Sequence, residues 1–112
     1  MIRLVSVLLF TLISMNVYAV SSYTGTIKSV VCHVEFTSDI CQVRVNGTVE
    51  NETCSADLAW KYNFDGSNPH GKNILSILLA AQMSGKSVVI GSQGCPNTSG
   101  PEDLRHVYIV TP

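Results

Sequence analysis

Four cysteines, at positions 32, 41, 54 and 95, constrain the fold of this 112-residue chain more than any other feature. None forms a C-x-x-C pair, the spacing expected of a zinc knuckle or a thioredoxin-type redox motif. An even count in a small chain reads as two disulfides, and disulfides persist in oxidising compartments. Three pairings are open. The favoured one joins Cys32 to Cys41 within a hairpin and Cys54 to Cys95 across the domain. In the chain-entropy model, closing a loop of about 40 residues with the second bridge contributes roughly 3 to 4 kcal/mol. A core this small has little margin without such staples.

Residues 1–19, MIRLVSVLLFTLISMNVYA, read as a signal peptide. Arg3 precedes an apolar run, Leu4 to Ile13, that is short for a membrane span. Val17-Tyr18-Ala19 then places small or aliphatic residues where a signal peptidase reads them. Residues 20–112 are left as a single domain carrying six basic and eight acidic side chains. No Cys follows the apolar run at the cleavage point, so a lipid anchor is not indicated. The expectation is a soluble protein, secreted or periplasmic, with no membrane span. A formal net charge of −1 argues against coating nucleic acid or an anionic membrane. With 46% hydrophobic and 13% charged residues, the chain is no disordered tail either.

Periodicity organises the rest. Residues 25–36 (GTIKSVVCHVEF) are rich in β-branched and aromatic side chains and end at turn chemistry, Thr37-Ser38-Asp39. Residues 40–49 alternate, with Cys41, Val43 and Val45 on one face and Gln42, Arg44 and Asn46 on the other. Glu50 to Ser55 form a polar loop. Residues 58–64 alternate again and put Leu58, Trp60, Tyr62 and Phe64 together as the heaviest expected contribution to the core. The period then lengthens. Asp65-Gly66-Ser67-Asn68-Pro69 offers a turn and capping side chains, residues 71–84 read as a helix, and Gly85 suits a left-handed cap. Residues 87–91 and 104–110 are two further strands, separated by a loop from Ser92 to Pro101 that carries Cys95.

The expected order is three strands, one helix, two strands (βββαββ). A mainly β chain of that order, with one helix plugging a barrel mouth, matches the five-stranded Greek-key barrel of the OB-fold.

The segment from Cys54 to Cys95, with Glu102 and the closing His106-Val107-Tyr108-Ile109-Val110, resembles a family of small exported bacterial proteins of unknown function. The resemblance lies in the aromatic strand ending Phe64-Asp65, Gly71-Lys72 opening the helix, Leu78-Leu79-Ala80-Ala81, Ser84-Gly85-Lys86, and Cys95 after the next strand. It covers most of residues 54–110. The helix and the following SGKSVVI passage alone are similar to the binding subunits of bacterial A–B toxins of the subtilase and pertussis type, which are OB-folds. That likeness implies the same fold; the sugar-binding residues of those subunits are not recognised in this chain.

Catalytic signatures are missing from the pattern. His33, His70 and His106 have no metal-pair spacing, and only a barrel placing first and last strands side by side would join His33 to His106. Gly91-Ser92-Gln93-Gly94 fails the nucleophile-elbow spacing. Glu50 with Glu52, and Glu102 with Asp103, read as solvent-facing loop acids rather than a glycoside-cleaving pair. No phosphate-loop glycines precede Lys72. Asn46, Asn51 and Asn97 each open an N-x-[ST] triplet, which carries little weight beside a bacterial resemblance.

The expected role is therefore binding, not catalysis, with no cofactor. The partner is a glycan or an envelope or host protein, and not nucleic acid. Candidate ligand contacts are Gln42 and Arg44 on the polar strand face, with the loop from Gly91 to Pro101, and Trp60 and Tyr62 as a stacking platform. The alternative is a structural subunit forming a homo-oligomeric ring through helix 71–84.

Overall fold

A computed structural model describes residues 20–34, 39–95 and 100–111. The signal-peptide reading of residues 1–19, the turn at 37–38 and the Asn97 triplet lie outside the described residues. The chain is mainly β with one helix. Strands are β1 (Ser22–Gly25), β2 (Ile27–Val34), β3 (Asp39–Val45), β4 (Tyr62–Asp65), β5 (Val88–Gly94) and β6 (Glu102–Ile109), with α1 (Pro69–Ser84) between β4 and β5.

All six strands belong to one mixed, curled sheet in the order β1-β5-β6-β4-β3-β2. Every pairing is antiparallel except β4 with β6, which is parallel. The two edge strands, β1 and β2, are consecutive in sequence and separated only by Thr26. The sheet therefore curls far enough for one chain segment to border both ends. Six strands replace the five expected because a short strand, β1, precedes the expected first strand, which corresponds to β2. Gly25 has φ 154°, and the Tyr23 ring folds back against it, donating its hydroxyl to the Thr26 carbonyl at 2.8 Å. An alanine Cβ at Gly25 would clash with that ring.

The concave side holds the core: Tyr23, Ile27, Cys41, Val43, Tyr62, Phe64, Val88, Ile90, Leu104 and Val107 meet Leu78 and Ala81 of α1. Cys41 and Val43 point inward, as their alternation predicts. The aromatic strand is shorter than 58–64, however. Tyr62 and Phe64 are buried, but Leu58 is exposed and Trp60 half-buried, because residues 51–61 form turns and irregular backbone before β4 begins. The strands after the helix are longer than expected at one end: β5 runs on to Gly94 and β6 starts at Glu102.

α1 starts and stops on local chemistry. The Asn68 side chain accepts from the Gly71 amide at 2.6 Å, Pro69 occupies the first turn, and Gly85 (φ 69°) caps the other end. Among the described residues no helix is long and apolar enough to cross a membrane.

Both disulfides have the favoured pairing, Cys32–Cys41 and Cys54–Cys95, and no described cysteine is free. Cys32 and Cys41 are directly opposed across β2 and β3. Two bridges fit an oxidising extracellular or periplasmic environment.

Candidate functional site

The parallel seam between β4 and β6 positions a concavity of mixed polar and apolar lining. Strand pairing aligns Gln42 with Asn63, and Asn63 with Asp103, so three half-buried polar residues from three strands form one row. The N-terminal turns of α1 rise beside this row and close a groove of about 730 Å³. Its polar lining includes Asn63, Asp65, Asn73, Gln93, Asp103, Arg105 and His106; Phe64, Ile74, Ile77, Leu104 and Val107 supply an apolar floor.

Each wall has a local cause. Asp65 ends β4 and turns the chain by accepting from the Ser67 hydroxyl at 2.5 Å and the Ser67 amide at 2.9 Å. Those two bonds, the hydroxyl's first, hold its carboxyl below the usual range. The turn delivers Gly71 directly against the end of β4. A Cβ there would overlap the Asp65 carbonyl, with Gly66 Cα only 3.1 Å away, so the helix approaches this closely only with glycine. On the opposite wall His106 faces Gly91, and its ring lies over the space where a Gly91 side chain would stand. The His106 ring also stacks on Tyr108, centroids 6.4 Å apart.

Two groups in the groove are primed for a ligand. Asn63 Oδ1 is buried and lacks a hydrogen-bond partner among the described residues. Beside it, desolvation raises the pKa of Asp103. An unpaired amide oxygen and a partly desolvated carboxyl both gain from donors that a ligand would bring.

The sequence-predicted contacts separate. Gln42 extends the row, in register with Asn63. Arg44 lies over the Trp60 ring, 5.4 Å from its centroid, so the chain's own guanidinium covers one face of that indole. Tyr62 points inward and is fully buried. Burial, which outweighs the opposing Ser21 hydroxyl, and the charges of Glu102 and Glu52 push its phenol up to about 12. His33 and His106 are not joined: β4 and β3 stand between β6 and β2.

Sequence reasoning missed the groove because Asn63 and Asp103 are neighbours only through a parallel crossover. It also placed Glu102 in solvent. In the structure Glu102 is fully buried at the start of β6, at the centre of a polar cluster. Ser92 Oγ accepts from the amides of Ser21 (3.1 Å) and Gly94 (3.2 Å). Its own proton is then free for Ser21 Oγ, 3.0 Å away, and the Ser21 proton goes to Glu102 Oε2 at 2.5 Å. Ser55 Oγ lies 3.3 Å from both Glu102 Oε2 and Glu52 Oε1. Thr53 Oγ1 lies 3.1 Å from Glu102 Oε1 and 3.0 Å from Cys95 Sγ. Lys61 pairs with Glu52 and donates to the carbonyls of Ser55 and Ala56, pinning the 51–58 loop. Period-two alternation carried backward from Leu104 would have turned Glu102 inward.

No family model matches this chain, and no curated protein matches it.

Proposed function

We propose that this protein is an exported binding module built on an OB-type barrel, and that it holds a carbohydrate in the groove across the β4–β6 seam. The topology supports the barrel reading. Counting β1 and β2 as halves of one bent strand leaves five strands, with the helix between the third and fourth and a parallel pairing between the third and fifth. Two disulfides support the exported reading. The role is recognition rather than catalysis, and kinship with small exported bacterial proteins and toxin binding subunits belongs to the same proposal.

The observation that carries the ligand class is the unpartnered Asn63 Oδ1 beside Asp103, above an apolar floor. A sugar ring offers hydroxyl donors on its edge and C–H groups on its face, and planar amides and carboxylates read the former. A glycan array followed by calorimetry tests this. At least one glycan should bind, and Asn63→Ala and Asp103→Ala should each weaken it about tenfold or more, the loss expected when one buried hydrogen bond to a ligand disappears. No binding above background, or binding indifferent to both substitutions, would refute the assignment.

One feature favours the structural-subunit reading. Leu79 and Met83, one turn apart on α1, are 40% and 89% exposed. A monomer by light scattering at micromolar concentration removes it.

A further inference from the structure

We propose that His106 and Tyr108 form a second sugar subsite, a stacking platform for an outer ring of an oligosaccharide whose inner ring lies in the β4–β6 groove. The proposal rests on the carbohydrate reading of that groove and adds a preference for ligand length. Both side chains project from β6, two residues apart, on the side opposite Val107, which belongs to the core. His106 lines the groove, and Tyr108 continues the strand past its lining.

Among the described Phe, Tyr and Trp residues, Tyr108 alone is exposed, at 54%. Trp60, by contrast, is half-buried with Arg44 over its ring. The orientation of the Tyr108 ring is prepared from the neighbouring strand. Gly91 on β5 pairs with His106 and has no side chain, so the imidazole takes that space; a Cβ at Gly91 would overlap the ring. The imidazole then lies 6.4 Å from the phenol, centroid to centroid, with the two planes 18° apart. A phenol backed by a wedged, near-parallel ring loses less freedom when a ligand arrives.

The chemistry of an exposed ring beside a polar groove suits a sugar chain. The face of the phenol is negative, and the C–H groups on the face of a pyranose are slightly positive. Asn63 and Asp103 read the hydroxyl edge of one ring. Asp103 and Tyr108 stand five residues apart on β6, about 16 Å at the rise of a strand. That is longer than one sugar ring, so a ring held at Asp103 leaves Tyr108 to another ring of the same chain.

The test is calorimetry on the full chain with glucose, galactose, mannose and N-acetylglucosamine, each as a series of one to four linked rings. In at least one series affinity should rise about tenfold or more with length, the scale that alanine substitution shows for planar groups stacked on aromatic side chains. Tyr108→Ala should remove that rise and leave the single sugar's affinity unchanged. Tyr108→Phe should keep the rise, because the ring and not the hydroxyl makes the stack. Asn63→Ala should weaken every length. Affinity independent of length, or a rise that survives Tyr108→Ala or is lost in Tyr108→Phe, overturns the platform; if Asn63→Ala still weakens binding, the groove reading stands without it. A rise lost in Tyr108→Ala but indifferent to Asn63→Ala refutes the groove and with it the two-subsite proposal. No binding in any series refutes both.

Discussion

The two disulfides close loops of very different length, and the difference is measurable. Cys32–Cys41 spans a sequence separation of 9 and Cys54–Cys95 one of 41. If each acts mainly by restricting the unfolded chain, loop-closure entropy gives about 2.5 kcal/mol for the first and about 4 kcal/mol for the second. Single substitutions at the exposed partners, Cys32→Ala and Cys95→Ala, break each bridge while leaving Cys41 or Cys54 in place. That choice matters because Cys41 is a core residue, 1% exposed, and truncating it would add a cavity cost of its own. Urea unfolding followed by circular dichroism, with the freed thiol protected from oxidation, then compares the two. Cys95→Ala should be the less stable by about 1.4 kcal/mol, a midpoint difference of about 1.4 M if m is about 1 kcal/mol/M for a chain this small. Equal losses, or a larger loss for Cys32→Ala, would refute the entropic reasoning.

The close approach of α1 to β4 predicts that Gly71→Ala lowers stability by about 2 to 3 kcal/mol, although alanine is the better helix former by about 1 kcal/mol; a neutral or stabilising result in thermal or chemical unfolding would contradict the packing. Tyr62 makes an alkaline prediction. Its folded pKa is raised from 10.0 to about 12, so the unfolded chain ionises first. The stability it contributes is fully present below pH 10 and is lost as pH rises from 10 through 12. Tyr62→Phe should flatten that alkaline limb in unfolding curves taken from pH 9 to 12, and an unchanged slope would exclude the phenol as its source.

Much of the architecture was legible because short-range rules govern it. Alternation at Cys41 and Val43, the cap residues Asn68 and Gly85, and the hairpin bridge Cys32–Cys41 are all local signals. What escaped was non-local. The short strand β1 escaped because it ends at Gly25, where the Tyr23 ring folds back, a contact invisible to periodicity. Leu58 and Trp60 fit a strand pattern, yet a loop held by Lys61 and Glu52 claims the backbone before them. The groove depends on Asn63 meeting Asp103 across a parallel pairing of segments 40 residues apart, which no window along the chain can contain. Glu102 defied the rule that acids face water because three hydroxyls scattered along the chain, those of Ser21, Thr53 and Ser55, converge to solvate it.

The seam where β4 meets β6 rests on only two aligned residue pairs, Tyr62 with Glu102 and Asn63 with Asp103. On either side stands a three-stranded antiparallel leaf, β1-β5-β6 and β2-β3-β4, and the chain passes between leaves at Thr26 and through α1. Cys54 approaches β4 while Cys95 leaves β5, so their bridge latches one leaf to the other. A guest spanning Asn63 and Asp103 would tie the same two leaves at the seam itself. Occupancy and oxidation would then act on one hinge, and amide exchange along the seam would slow with each clasp that closes.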